Sequence, residues 1–106
     1  MSLLNFLVKN AKDMSPPKIS GVDVPTNGQT SFVVTWTTDE PGTSQVQYKI
    51  TGGAYSYTTL DTNLVNLHSV TVTGLTAYTI YRFNAISKDQ FDNTATSAEY
   101  INRTTH

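Results

Sequence analysis

Residues 31–50 read SFVVTWTTDEPGTSQVQYKI, and the spacing within them decides the fold. From Ser31 to Thr37, Phe32, Val34 and Trp36 alternate with Ser31, Val33, Thr35 and Thr37. After Asp39-Glu40-Pro41-Gly42 the alternation resumes from Thr43, with Val46, Tyr48 and Ile50 on one side and Gln45, Gln47 and Lys49 on the other. Successive side chains of a strand point to opposite faces. Each run therefore predicts a half-buried strand, the first turning Trp36 inward, with a turn between them at the proline and glycine.

The same period of two extends in both directions. Lys18 to Val24 reads as a strand closed by the turn Pro25-Thr26-Asn27-Gly28. Beyond Gly52-Gly53, Ala54 to Leu60 reads as a short edge strand and Asp61-Thr62-Asn63 as a loop. His68 to Thr73 turns Val70 and Val72 inward. Tyr81, Phe83 and Ala85 alternate with Arg82 and Asn84, Lys88 to Thr94 is a polar loop, and Ala95 to Thr104 forms the last strand. Turn signals at intervals of about 8 to 12 residues belong to all-β sandwiches and barrels. The chain holds 18 threonines, most at solvent-facing strand positions. Threonine is β-branched yet polar, so it favours a pleated strand with a wet face. Seven strands around a central tryptophan predict an all-β, seven-stranded antiparallel immunoglobulin-like sandwich.

At 106 residues the chain makes one domain. Charged residues are 14% of it, against about 25% in ordinary soluble proteins, and the net charge is -1. No cluster of Lys and Arg supplies the phosphate contacts on which nucleic-acid affinity rests, so no nucleic-acid partner is expected. The absence of cysteine removes disulfides and thiolate chemistry. No apolar run approaches the ~20 residues of a membrane span. Leu3, Leu7, Ala11 and Met14 fall on one stripe of a short helix, or else belong to a strand or linker from a neighbouring domain. Pro16-Pro17 marks the boundary, giving a leader over residues 1–15 and a domain over 16–106. The leader does not read as a secretory signal: no basic residue precedes its apolar stretch and Asn5 interrupts it.

Pro16-Pro17-Lys18-Ile19, Trp36, Tyr48 and Leu75-Thr76-Ala77-Tyr78-Thr79-Ile80-Tyr81 together resemble a fibronectin type III domain, over essentially all of Pro16 to Thr105. In that resemblance the first segment enters the first strand, Trp36 and Tyr48 take the family's core aromatic positions, and Leu75 precedes Tyr81 by six residues as the family's leucine and tyrosine do. Ala77-Tyr78 stands where a proline and glycine are common. His68 to Leu75 and Ser87 to Asn93 look most like the microbial branch, found in secreted hydrolases, surface-layer proteins and adhesins, though Asp92 replaces that branch's usual glycine. A related domain precedes the catalytic domain of purple acid phosphatases. The resemblance implies a non-catalytic, extracellular or cell-surface accessory module that spaces or docks neighbouring domains of a larger exported microbial protein. Its alternatives are a module binding carbohydrate or a surface protein, and an ancillary domain of a metallophosphatase.

Trp36, Tyr48, Leu75 and Tyr81 are expected in the core, Tyr81 tying its hydroxyl to upstream backbone as a tyrosine corner. A hydrolase needs a nucleophile beside a base or a pair of carboxylates. The only histidines are His68 and His106, so neither catalysis nor a metal or cofactor is expected, and His68 reads as a satisfied structural histidine. Tyr55 and Tyr57, two apart, would present both rings on one face, as sugar stacking requires. Asp89 and Asp92, with Asn93, are the loop oxygens that a calcium ion or other ligand would meet; the competing reading is that they bond their own backbone. Asn102-Arg103-Thr104 is the single glycosylation sequon.

Overall fold

The computed structural model describes residues 15–106; residues 1–14, and with them the helix-or-linker expectation for the leader, lie outside the described residues. Seven strands follow in order: β1 (Ile19–Asn27), β2 (Phe32–Ile50), β3 (Ser56–Tyr57), β4 (Asp61–Val72), β5 (Ile80–Lys88), β6 (Thr94–Thr96) and β7 (Tyr100–Arg103). Every pairing is antiparallel. One layer is β1, the first half of β2, and β4; the other is β3, the second half of β2, β5, β6 and β7. Because β2 belongs to both, the hydrogen-bonded ladder joins all seven.

That shared strand differs from the expected pair separated by a turn. Asp39 to Gly42 does not reverse the chain but bends it from one layer into the other, with a register slip against β4 between Thr37 and Gly42. Gly42 is needed for closeness: a Cβ there would meet Ser87 Cβ at 3.3 Å and Pro17 Cγ at 3.6 Å. The buried Pro17 thus closes this end of the sandwich where the leader joins it.

Phe32, Val34, Trp36, Val46, Val72, Leu75, Tyr81, Phe83 and Ala85 make the core, as the alternation of each strand requires. Phe32 packs at a tilt against Phe83 and Tyr81, with centroids 5.5 Å and 6.4 Å apart. Tyr48 and Val70 are partly buried against this cluster, whereas Ile50 is exposed at the last rung of its ladder with β5.

Four boundaries move. The edge strand expected over Ala54 to Leu60 is reduced to the two residues of β3. The expected loop Asp61-Thr62-Asn63 is the start of β4: Ser44 offers Asp61 a ladder partner, while the Asp61 carboxylate still accepts the Asn63 N–H at 3.0 Å and the register slips between this rung and that of Val65. β1 continues through Pro25 to Asn27, tolerated because an edge strand can lose a donor. The last strand divides into β6 and β7 at Ser97, whose hydroxyl takes the Ala85 N–H at 2.9 Å in place of a regular rung.

Candidate functional site

The bend in β2 is held by one histidine. His68 is buried beneath it, its ring stacked on Trp36 at 4.9 Å and 5°. The Thr38 hydroxyl donates to Glu40 O at 2.7 Å, so at the 2.8 Å contact with His68 Nε2 it must accept. The proton therefore sits on Nε2, leaving Nδ1 to accept from the Ser44 hydroxyl at 2.6 Å. Trp36 and Thr38 precede the bend and Ser44 follows it, so His68 ties together the two halves of β2. The structure shows the satisfied histidine expected from sequence; Thr38 and Ser44, ordinary polar residues in an alternating pattern, gave no sequence signal of this role.

Burial pushes His68 below its ordinary value, more than the Asp61 carboxylate raises it. The unfolded chain binds this proton near pH 6.5 and the folded chain only at lower pH. His68's contribution to stability is thus complete above about pH 6.5 and drains as pH falls through that value toward the folded-state value, by at most about 1.4 kcal/mol per pH unit. Urea melts from pH 7.5 to 5 should show this slope, and His68→Gln should flatten it; an unchanged slope in the variant would assign it elsewhere.

Tyr81 forms the expected corner: Thr76 N–H donates to its hydroxyl at 2.8 Å across five residues. Tyr81→Phe should cost about 1 kcal/mol, since the ring stays packed and one bond is lost. Tyr78→Phe should cost almost nothing, because Tyr78 is exposed. The reverse order in thermal melts would mean the wrong tyrosine had been given the corner.

Asp89 and Asp92 are separated by the fold. Asp89 is buried, and its Oδ1 accepts from Phe91 N at 2.8 Å and Asn93 N at 3.0 Å while Oδ2 accepts from Asn93 Nδ2 at 3.0 Å. Burial raises its carboxyl, but these bonds, together with one involving the Glu40 side chain, outweigh it and leave the carboxyl below the ordinary range. Asp92 stands in solvent beside Lys88 Nζ at 3.5 Å. Its φ is 66° and that of Tyr78 is 49°. The two substitutions for a usual glycine thus fall on the left-handed backbone that glycine adopts without strain. Asp92→Gly should therefore raise stability by about 0.5 to 1 kcal/mol; a lower melting temperature would show that the Lys88 contact matters more than backbone strain.

Tyr55 and Tyr57 lie on the outer face of the second layer, where Tyr57 stands opposite Gln47. They are not equivalent. Lys49 Nζ covers the Tyr55 ring at 4.4 Å and its hydroxyl donates to Glu99 at 3.2 Å. Arg82 also binds Glu99 at 2.9 Å, holding that carboxyl below its ordinary range. Tyr57 is 58% exposed. In the sequon, Asn102 Nδ2 donates to Asn27 Oδ1 at 3.0 Å and Thr104 is buried, so both are engaged by the fold. Among the described residues no group of three His, Cys, Asp or Glu side chains gathers to hold a metal ion.

The solution structure of the fibronectin type-III domain of human fibronectin type III domain containing protein 3 matches with a TM-score of 0.66 at 16% identity, over 86% of this chain and 87% of that one. The sensor domain of the anti-sigma factor RsgI4 of Pseudobacteroides cellulosolvens matches with a TM-score of 0.62 at 16% identity, over 86% and 96%. A fibronectin type III domain derived from the human KIAA0970 protein gives 0.57 at 15%, over 99% and 85%. No curated protein gives a significant match. The fold is therefore that of a fibronectin type III domain. The profile of the purple acid phosphatase N-terminal domain matches residues 19–104, and the chain belongs to that family.

Proposed function

We propose that this domain is a non-catalytic accessory module that docks or spaces a neighbouring domain of a larger exported protein, and that the neighbour is a metallophosphatase catalytic domain. Membership in the purple acid phosphatase N-terminal family is the observation that carries this reading. The buried polar groups support it. Hydrolysis needs a base free to move a proton beside a nucleophile, whereas both ring nitrogens of His68 and both oxygens of Asp89 are engaged in holding backbone and strand halves together. The test is phosphomonoester hydrolysis by the purified chain, with and without added iron and zinc. No turnover above the blank is expected; turnover abolished by His68→Ala would overturn the reading.

A carbohydrate- or surface-protein-binding role has one observation in its favour, the open ring of Tyr57 beside the polar outer position Gln47. Titration with soluble oligosaccharides, read by tyrosine fluorescence, should show saturable binding lost in Tyr57→Ala if this role exists.

A further inference from the structure

One side of the sandwich is closed by side chains and not by a ladder. β1 ends the first layer and β7 the second, and the two strands share no rung. Three hydrogen bonds cross between them at the end of β1. Asn27 Nδ2 donates to Arg103 O at 2.8 Å, Asn102 Nδ2 donates to Asn27 Oδ1 at 3.0 Å, and Thr105 N–H donates to Gly28 O at 2.9 Å. The Arg103 carbonyl can only accept, which fixes the nitrogen of the Asn27 carboxamide on that side and leaves its oxygen for Asn102. Both ends of one carboxamide are thus engaged, and Asn27 is the centre of a clasp.

Asn27 is also the asparagine most open to attack by its own backbone. Of the eight asparagines in the chain it alone precedes glycine. In such a pair the glycine nitrogen reaches the carboxamide carbon with no Cβ in the way. The reaction balances with water as its only co-reactant. Gly28 N gives up its proton and bonds Asn27 Cγ, closing a five-membered succinimide, and the side-chain nitrogen takes up a proton and leaves as ammonia. Water then opens the ring at one carbonyl or the other, giving aspartate or, with the main chain rerouted through the side chain, isoaspartate.

The fold withholds each element of that reaction. Gly28 N–H donates to Ser31 O at 2.8 Å, so the nucleophile keeps its proton. Asn27 is the last residue of β1 and pairs with Phe32, whereas ring closure requires ψ to leave the extended values of a strand. The bonds to Arg103 and Asn102 hold the carboxamide against β7. Asn27 is nevertheless exposed, so water is at hand as soon as the clasp opens.

We propose that Asn27 is a self-modification site guarded by β7, stable while the clasp is closed and converted to aspartate or isoaspartate once it opens. The rate of amide loss is then that of a free Asn-Gly pair multiplied by the fraction of time this side stands open. The change runs one way. An aspartate at this position has no hydrogen to give to Arg103 O and sets two acceptors face to face, and an isoaspartate adds a main-chain carbon where β1 enters the turn to Ser31. A modified chain therefore stays loosened between β1 and β7, whatever domain lies beside it.

The test is peptide mapping by mass spectrometry, with isoaspartate scored separately, on the whole chain kept in warm, mildly alkaline buffer with and without concentrated urea. Asn27 should be the first asparagine lost in urea, and its loss should be at least about tenfold slower in the folded chain. Gly28→Ala should slow the loss in urea several-fold, because the added methyl shields the attacking nitrogen. Asn102→Ala removes the donor to Asn27 Oδ1 but keeps the backbone rung with Tyr81, so it should stay folded and lose the Asn27 amide several-fold faster than wild type. Asn102→Asp, which cannot donate either, should do the same. Asn27→Asp, the product made directly, should melt about 5 °C below wild type. Equal rates in folded and unfolded chain, no acceleration in either Asn102 variant, another asparagine lost ahead of Asn27 in urea, or an Asn27→Asp chain as stable as wild type would each overturn the proposal.

Discussion

Trp36→Ala is expected to leave little or no stably folded chain. The indole is 2% exposed between the layers, stacked on the His68 ring, and its Nε1–H donates to Ser87 Oγ at 2.9 Å. Truncating a buried aromatic of this size costs about 3 to 5 kcal/mol through lost burial and the cavity left behind. The fully buried Ser87 hydroxyl would also lose its donor, adding about 1 kcal/mol or more. A typical domain has about 5 to 15 kcal/mol in all, and one this small lies toward the low end. His68 would lose the surface that positions it, so the bend of β2 should loosen with the core. Denaturant melts followed by far-ultraviolet circular dichroism check this; a midpoint close to wild type would contradict the burial of Trp36. Trp36→Phe should fall between the two, keeping most of the burial while losing the Ser87 bond.

Asp89→Ala should be the most damaging change outside the core, at about 2 to 3 kcal/mol. Its carboxylate accepts three hydrogen bonds from within the β5–β6 loop, and bonds to a charged acceptor are the stronger kind. Removing it strands the Phe91 and Asn93 N–H groups and frees a loop that also covers the bend at Glu40. Asp92→Asn, which keeps a side chain tolerated on left-handed backbone and loses only an exposed ion pair, should change stability by a few tenths of a kcal/mol. Acid offers a second measurement. Because the folded Asp89 carboxyl lies below the ordinary range, its contribution is present above the unfolded value near pH 3.9 and is lost as pH falls through the folded value. That loss begins at lower pH than the His68 loss, which starts near pH 6.5, so Asp89→Ala should shrink the loss of stability in acid while leaving the slope near pH 6.5 in place. Calcium should leave the melting temperature unchanged, because the oxygens it would need already accept from the loop. A rise in melting temperature with calcium that Asp89→Ala abolishes would restore the loop as a metal site.

Both losses in acid rest on chemistry that sequence showed only in outline. His68 was legible as structural because no second histidine stood at ligand spacing. Its partners were not legible, since Thr38 and Ser44 lie 30 and 24 residues from it and become neighbours only when β2 bends. Asp89, Asp92 and Asn93 looked alike as loop oxygens. Their separation into a buried acceptor and an exposed ion-pair partner came from how the loop folds back onto itself. Strand parity could not show whether the Tyr55 and Tyr57 rings are covered, since that depends on Lys49 and Glu99, which the tertiary fold brings to Tyr55.

What the sequence determined by itself was whatever depends on neighbours along the chain. Strict alternation fixed strands, their inward faces and the aromatic core, because side chains two apart share a face of any strand. The tyrosine corner was equally local, since its bond spans five residues. Tertiary structure decided whatever depends on partners distant in sequence. The turn expected at Asp39 to Gly42 became a bend within one strand because β4 accompanies the chain across it, pairing Leu67 with Thr37 before the bend and Val65 with Gly42 after it. The same pairing turned the polar stretch at Asp61 into strand and so created the long edge that carries Leu64, Val65 and Leu67. Turn propensity amounts to a fraction of a kcal/mol per residue, and several ladder hydrogen bonds with a packed core behind them outweigh it.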